Sequence, residues 1–180
     1  MIVGPQLTAV VGLTILAFLA LVWATGGTVS LEWLKYLSAT LLVVTGTLAA
    51  FDHLLWRIPL LQGWFVRRPH LSGVWDVTIR TGWKDPATGE QLGPVTATFE
   101  ITQTYATLNM QMKSNASVGE LICANIIPRN GGGYRLIGTF RNEPMLFERD
   151  KSPIHYGTFS LDIEGNANSP QRMTGHYWGD

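Results

Sequence analysis

VTATFEIT, Val95–Thr102, decides the fold of most of this chain. Val95, Ala97, Phe99 and Ile101 alternate with Thr96, Thr98, Glu100 and Thr102. Successive side chains of a strand point to opposite faces, so a period of two marks a strand with one buried face. The pattern recurs downstream. Leu108, Met110 and Met112 alternate with Asn109, Gln111 and Lys113. Tyr134, Leu136, Gly138 and Phe140 alternate with Arg135, Ile137, Thr139 and Arg141. Phe159, Leu161 and Ile163 alternate with Ser160, Asp162 and Glu164. Trp75–Val77–Ile79, Leu121–Ile127 and Met173–Gly175–Tyr177 bring the total to seven strands. Turn signals separate them: Pro86–Gly89, Gly93–Pro94, Ser114–Gly119, Asn130–Gly133, Glu143–Pro153 and Gly165–Pro170. Seven short antiparallel strands in such a span predict a small barrel or sandwich. Glycines within strands, at 138, 157 and 175, favour the barrel, because they allow tight bends and close approaches. Gly131–Gly132–Gly133 reads as a hairpin tip, since no helix follows it.

Moving toward the N-terminus, the composition changes. Residues 1–66 carry four formal charges, Glu32, Lys35, Asp52 and Arg57, and the remainder of the chain carries eleven basic and eleven acidic residues. Leu7–Thr25, LTAVVGLTILAFLALVWAT, has no charge, and no charge follows from Tyr36 to Phe51. A helix of nineteen residues is roughly 28 Å long, against a hydrocarbon core of about 30 Å. Residues 1–6 contain no Lys or Arg, which a secretory signal would need. The pair therefore predicts a transmembrane hairpin with spans at about 7–25 and 33–52. Trp23, Trp33 and Trp56 lie near its ends, where amphipathic rings prefer to sit. Thr45, Gly46, Ala49 and Ala50 form small-xxx-small pairs that let helices approach closely. Arg57, Arg67 and Arg68 follow the second span, so the positive-inside rule places the β part in the cytoplasm. Asp52 is expected to pair with Arg57 at headgroup level. IPLLQGWF, Ile58–Phe65, reads as a connector lying along the membrane surface, with Arg67 and Arg68 beside anionic headgroups. The expected organisation is a helical hairpin at 1–57, a connector at 58–70 and an all-β antiparallel domain at 71–180. Its fold is a small up-and-down β-barrel of about seven to eight strands.

Zero net charge argues against DNA or RNA duplex binding. One cysteine, Cys123, excludes a disulfide framework and a cysteine-based zinc site. The four histidines, at 53, 70, 155 and 176, lack metal-ligand spacing, so no metal is expected. Gly-x-Ser-x-Gly, His-Glu-x-x-His and Walker motifs are absent, so neither an enzyme nor a catalytic residue is expected. Glu143, Glu148 and Asp150 read as a solvated loop tip. A binding module on a membrane anchor is the physical class that remains. Its ligand is either polar and anionic or, as in a calycin-like module or assembly scaffold, apolar.

Six stretches in order carry a resemblance: FDHLLWR (Phe51–Arg57), RRPHLSGVW (Arg67–Trp75), SNAS (Ser114–Ser117), FRNEP (Phe140–Pro144), HYGTFSL (His155–Leu161) and TGHYWGD (Thr174–Asp180). Behind two apolar helices, this set resembles the two-transmembrane β-barrel effectors of CBASS antiphage signalling. The resemblance covers most of the chain. It implies an inner-membrane, multi-pass protein whose cytoplasmic barrel senses a 3′,3′-type cyclic dinucleotide made by a CD-NTase. It further implies ligand-induced homo-oligomerisation and membrane disruption, ending in abortive infection, with no cofactor. The family's barrel is expected to continue into a further strand after the Tyr177–Trp178 segment. A cyclic dinucleotide needs rings to stack its bases and donors for its phosphates. Tyr134, Tyr156 and Trp178, together with Tyr177, supply rings; Ser114, Ser117, Arg141, Asn142, His155 and Thr158 supply polar contacts. Tyr134 and Tyr177 also share the parity of core positions, where they would simply fill the barrel.

Overall fold

A computed structural model describes residues 4–24, 26, 31–82, 84, 88–91, 93–130, 132–150, 152–167 and 169–179. The chain forms two compact units, one comprising Met1–Ile58 with Thr104–Thr107, the other Pro59–Gln103 with Leu108–Asp180.

The first unit holds α1 (Gly4–Ala24) and α2 (Leu31–His53), followed by a short 3-10 turn at Leu55–Arg57. Restricted to the described residues, no helix is long and apolar enough to cross a membrane. Over its full bounds α1 has 21 residues and no charged side chain. Thr45, Gly46 and Ala49 are exposed, Ala50 is half-buried, and open space surrounds the position a Cβ would take at Gly46. The expected Asp52–Arg57 pair does not form. Asp52 Oδ1 accepts from Ala106 N at 2.8 Å, and Asp52 O accepts from Tyr105 N at 2.9 Å. The Arg57 guanidinium instead lies over the Trp56 ring, 5.7 Å from its centroid. An acid in the last turn of a helix opposes the macrodipole, and the donors of residues 105 and 106 offset that cost.

The second unit is one antiparallel sheet of seven strands in sequence order: β1 (Gly73–Ile79), β2 (Val95–Gln103), β3 (Leu108–Ser114), β4 (Ser117–Pro128), β5 (Tyr134–Pro144), β6 (His155–Asn166) and β7 (Ser169–Gly179). This is the expected up-and-down order. The strands form a half-barrel with β1 and β7 as its edges. Core side chains come from the predicted parities: Ile101, Met110, Leu136, Phe159 and Ile163 are buried, and Trp75, Leu121 and Met173 pack against them. Gly138 and Gly157 are required by packing. A Cβ at Gly138 would meet Cys123 O and the Phe159 ring, and one at Gly157 would meet Trp178 O. Gly132 and Gly133 lie at a hairpin tip, as expected, while Gly131 is outside the described residues: Gly132 N donates to Arg129 O at 3.1 Å, and Gly132 and Gly133 have φ of 89° and 77°.

Two features of the sheet depart from expectation. The strands run further than their alternating cores: Ser117, expected in a turn, lies on β4, and Asn142 and His155 lie on β5 and β6. Glu143 is also a strand residue and not part of a solvated tip. It pairs with Arg141 at 3.0 Å and with Arg149 at 2.6 Å. At one end of the sheet Gln103, nearly fully buried, fastens the preceding connector. Its Oε1 accepts from Leu71 N at 2.7 Å and its Nε2 donates to Pro69 O at 3.0 Å.

Candidate functional site

Cross-strand register sorts the nine candidate ligand residues onto two faces. Opposed residues of an antiparallel pair share a face, and parity alternates along each strand. Met112 opposes Gly119, Gly119 opposes Asn142, and Asn142 opposes His155. This row crosses β3 to β6 on the core face, because Asn142 has the parity of the buried Leu136 and His155 that of Phe159. One row further out, Ser117 opposes Pro144, with Ser114 beside it. Ser114, Ser117, Asn142 and His155 are therefore gathered at one end of the core face. Tyr134 lies on the same face but eight residues back along β5, roughly 26 Å away at about 3.3 Å per residue. Arg141 opposes Tyr156, and Thr158 opposes Trp178, both pairs on the other face. The structure thus brings four of the nine together, places four behind them, and leaves Tyr134 at the far end.

Within the cluster the groups have distinct states. The Ser114 hydroxyl closes the β3–β4 turn, accepting from Ser117 N at 3.0 Å and Ala116 N at 3.3 Å. The two serine Oγ atoms are 3.3 Å apart. His155 Nδ1 lies 3.0 Å from Pro153 O. A carbonyl only accepts, so Nδ1 carries a proton and Nε2 is left for another partner. Asn142 is 8% exposed, and its Oδ1 has no hydrogen-bond partner among the described residues. Gly119 makes room for it. A Cβ there would stand 3.3 Å from Met112 Cβ and 3.7 Å from Asn142 Oδ1. Gly119 was not among the predicted residues, and nothing in its local sequence marks it.

The opposite face is charged. Asp162 takes Arg135 Nε at 2.6 Å and Arg129 at 3.3 Å. The Arg135 hydrogen bond is the main cause holding the Asp162 carboxyl below its ordinary value. An open groove of about 460 Å³ beside it is lined by Arg135, Ser160, Asp162, Thr174, His176 and Trp178 among others. At the far end of the core face, burial raises the Tyr134 phenol above its usual range, against an opposing effect of Arg67. Among the described residues no group of acids, histidines and cysteines could hold a metal ion.

Residues 66–180 match the family model described as Cap15, cyclic dinucleotide receptor domain. The chain belongs to this family. It is 27% identical over 165 residues to CD-NTase-associated protein 15 of Staphylococcus schleiferi, covering 92% of this chain and 84% of that protein. It is 28% identical over 162 residues to CD-NTase-associated protein 15 of Yersinia aleksiciae, covering 83% of this chain and 73% of that one. No solved structure matches it. The CBASS resemblance of the six sequence stretches is thus supported independently, and the matched segment contains the whole sheet and every candidate ligand residue.

Proposed function

We propose that this CBASS effector senses a 3′,3′-type cyclic dinucleotide, made by a CD-NTase, at the core-face cluster of Ser114, Ser117, Asn142 and His155. One observation carries the choice of site: the buried Asn142 Oδ1, without a hydrogen-bond partner among the described residues. Leaving such an acceptor dry and unpaired costs about 1–3 kcal/mol, which a ligand N–H repays. The exocyclic amino group of a base is such a donor. His155 opposes Asn142 across the strands and Ser117 lies one row further out, both available for phosphate or ribose, and Gly119 keeps the row open.

A second reading places the ligand in the groove of the opposite face, because Trp178 and Arg135 lie there together. Asp162 lines that groove and is already paired with Arg129 and Arg135. A carboxylate in that position opposes an anionic ligand. The core-face cluster has no carboxylate.

The output of a module without chemistry of its own is a shift of population between states. In this reading α1 and α2 are two spans of the bacterial inner membrane with the sheet on the cytoplasmic side. Ligand binding drives homo-oligomerisation, the stripe of Thr45, Gly46, Ala49 and Ala50 packs helices of neighbouring protomers, and the membrane is disrupted. An uncharged α1 and the open space around Gly46 support it. Calorimetry of the full chain in detergent against a panel of cyclic dinucleotides tests the ligand. Heat with at least one of them is expected, and none with any would overturn the assignment. Detergent-solubilised size with and without the binding dinucleotide tests assembly, and an unchanged size alongside full toxicity would remove it.

A further inference from the structure

The connector between the helices and the sheet is built to enter a lipid surface. Pro59–Leu61 is a 3-10 turn, and the backbone beyond it folds back on itself. Gln62 N donates to Pro59 O at 3.1 Å, Gly63 N to Val66 O at 2.9 Å, Phe65 N to Leu61 O at 3.3 Å and Val66 N to Leu61 O at 2.8 Å. Gly63, with φ of 91°, makes the reversal possible. This closed loop holds Leu60, Trp64 and Phe65 outward, at 80%, 69% and 57% exposure. The segment does not lack core positions, since Val66, Pro69 and Leu71 are fully buried just beyond it. The Trp64 and Phe65 rings lie 5.5 Å apart, so the three side chains form one apolar projection.

Exposed apolar side chains on a soluble surface are common and prove little singly. The polar groups distinguish this loop. Trp64 Nε1, which in an exposed indole would seek water, donates to Leu60 O at 2.8 Å. Four backbone N–H groups are paired inside the loop, and Pro59 has none. Hydrocarbon requires polar groups to be paired within the protein and water does not, and these donors meet that condition. An exposed Arg67 stands immediately behind the projection. A basic residue at the base of an apolar wedge complements an anionic headgroup layer. We infer that the loop 59–66 is a second membrane contact: Leu60, Trp64 and Phe65 lie in the headgroup–acyl boundary of a bilayer containing anionic lipid, and Arg67 lies at its phosphates. The inference rests on the membrane anchoring proposed above. It adds that the receptor domain itself grips the surface.

Depth-dependent fluorescence quenching tests this in the full chain. With Cys123→Ser as background, single cysteines at Phe65→Cys, Glu120→Cys and Leu16→Cys carry an environment-sensitive fluorophore. Each protein is reconstituted in vesicles of phosphatidylcholine and phosphatidylglycerol, with a lipid whose nitroxide sits just below the headgroup or at the acyl-chain end. The expected result is a blue-shifted label at 65 that loses most of its emission to the shallow nitroxide. The label at 120 stays quenchable by aqueous iodide, and that at 16 is quenched by the deep nitroxide. Quenching at 16 with none at 65 overturns the second contact while leaving the span. Quenching at neither overturns both. Equal shallow quenching at 65 and 120 indicates unspecific adhesion and overturns the assignment. So does a blue shift at 65 that follows protein concentration without lipid quenching, because the occupant is then a second copy.

Discussion

Asn142→Leu discriminates a binding residue from a structural one by the sign of its effect on stability. A buried asparagine with satisfied hydrogen bonds loses about 1–3 kcal/mol on replacement by an apolar residue, because its partners are left unpaired. Asn142 Oδ1 leaves no partner behind, since it has none among the described residues. Its replacement removes a desolvated acceptor and adds apolar contact with the Met112 side chain across Gly119. Removing the acceptor gains about 1–3 kcal/mol, and crowding offsets only part of that, because leucine has as many side-chain heavy atoms as asparagine and the same branching at Cγ. The net expectation is a gain of about 1 kcal/mol, or a rise in Tm of about 2–4 °C for a chain of this size. Ligand response moves the other way. At a hundredfold excess over Kd, a ligand stabilises the native state by about 2.7 kcal/mol. The unsubstituted protein should show that shift and Asn142→Leu should not. Thermal melts in detergent, with and without the dinucleotide identified by calorimetry, read both effects in one experiment. A variant that melts lower than the parent and keeps its full ligand shift would refute the reasoning, because Asn142 would then be a satisfied structural residue remote from the ligand.

The remaining expectations are as direct. His155→Ala should weaken dinucleotide binding about 10-fold to 100-fold, from loss of a hydrogen bond to a charged group worth about 1.5–3 kcal/mol. Thr158→Ala, on the opposite face, should leave calorimetric affinity within about twofold, roughly 0.4 kcal/mol; the reverse order would favour the outer groove. Gln103→Met should cost about 2–4 kcal/mol in urea unfolding, because it strands Leu71 N and Pro69 O in a buried site. The folded-state pKa of Asp162 lies below its ordinary 3.8, so its pairing adds stability above that value and loses it as pH falls through the folded pKa. Acid melts of the parent and Asp162→Asn should therefore differ at neutral pH and converge in strong acid. Gly46→Leu should reduce killing in cells, read by membrane-potential dye, while calorimetric dinucleotide binding is unchanged.

Much of the sheet is legible from parity alone. Hydrophobic alternation places Val95–Ile101, Leu108–Met112, Tyr134–Phe140 and Phe159–Ile163 on strands, and the buried residues are those it selects. The same arithmetic extends to the site. Asn142 is two residues beyond Phe140 and His155 is four before Phe159, so both fall on the core face, whereas Arg141, Tyr156 and Thr158 fall behind it. Gln103 continues the series of Ala97, Phe99 and Ile101, and a polar residue at a core position is a visible signal that a buried partner awaits it.

Parity fails at β4. Ala124 and Ile126 face the core, and counting back by twos would put Val118 and Glu120 there, with Ser117 and Gly119 outside. The register shifts between Leu121 and Cys123, where exposed Ile122 bulges out of the ladder. One extra residue in one strand inverts the facing of everything before it. That is how Ser117 and Gly119 come to join Asn142 and His155. Nothing in LICAN, Leu121–Asn125, announces the bulge, because it is fixed by how β4 must meet β5 on both sides of it. Asp52 follows the same rule: its partners, Tyr105 and Ala106, are over fifty residues away in sequence, and only the folded chain brings them to it. Alternating polarity is a local property that sequence determines by itself; a cross-strand partner is a non-local one, and the tertiary structure alone decides it.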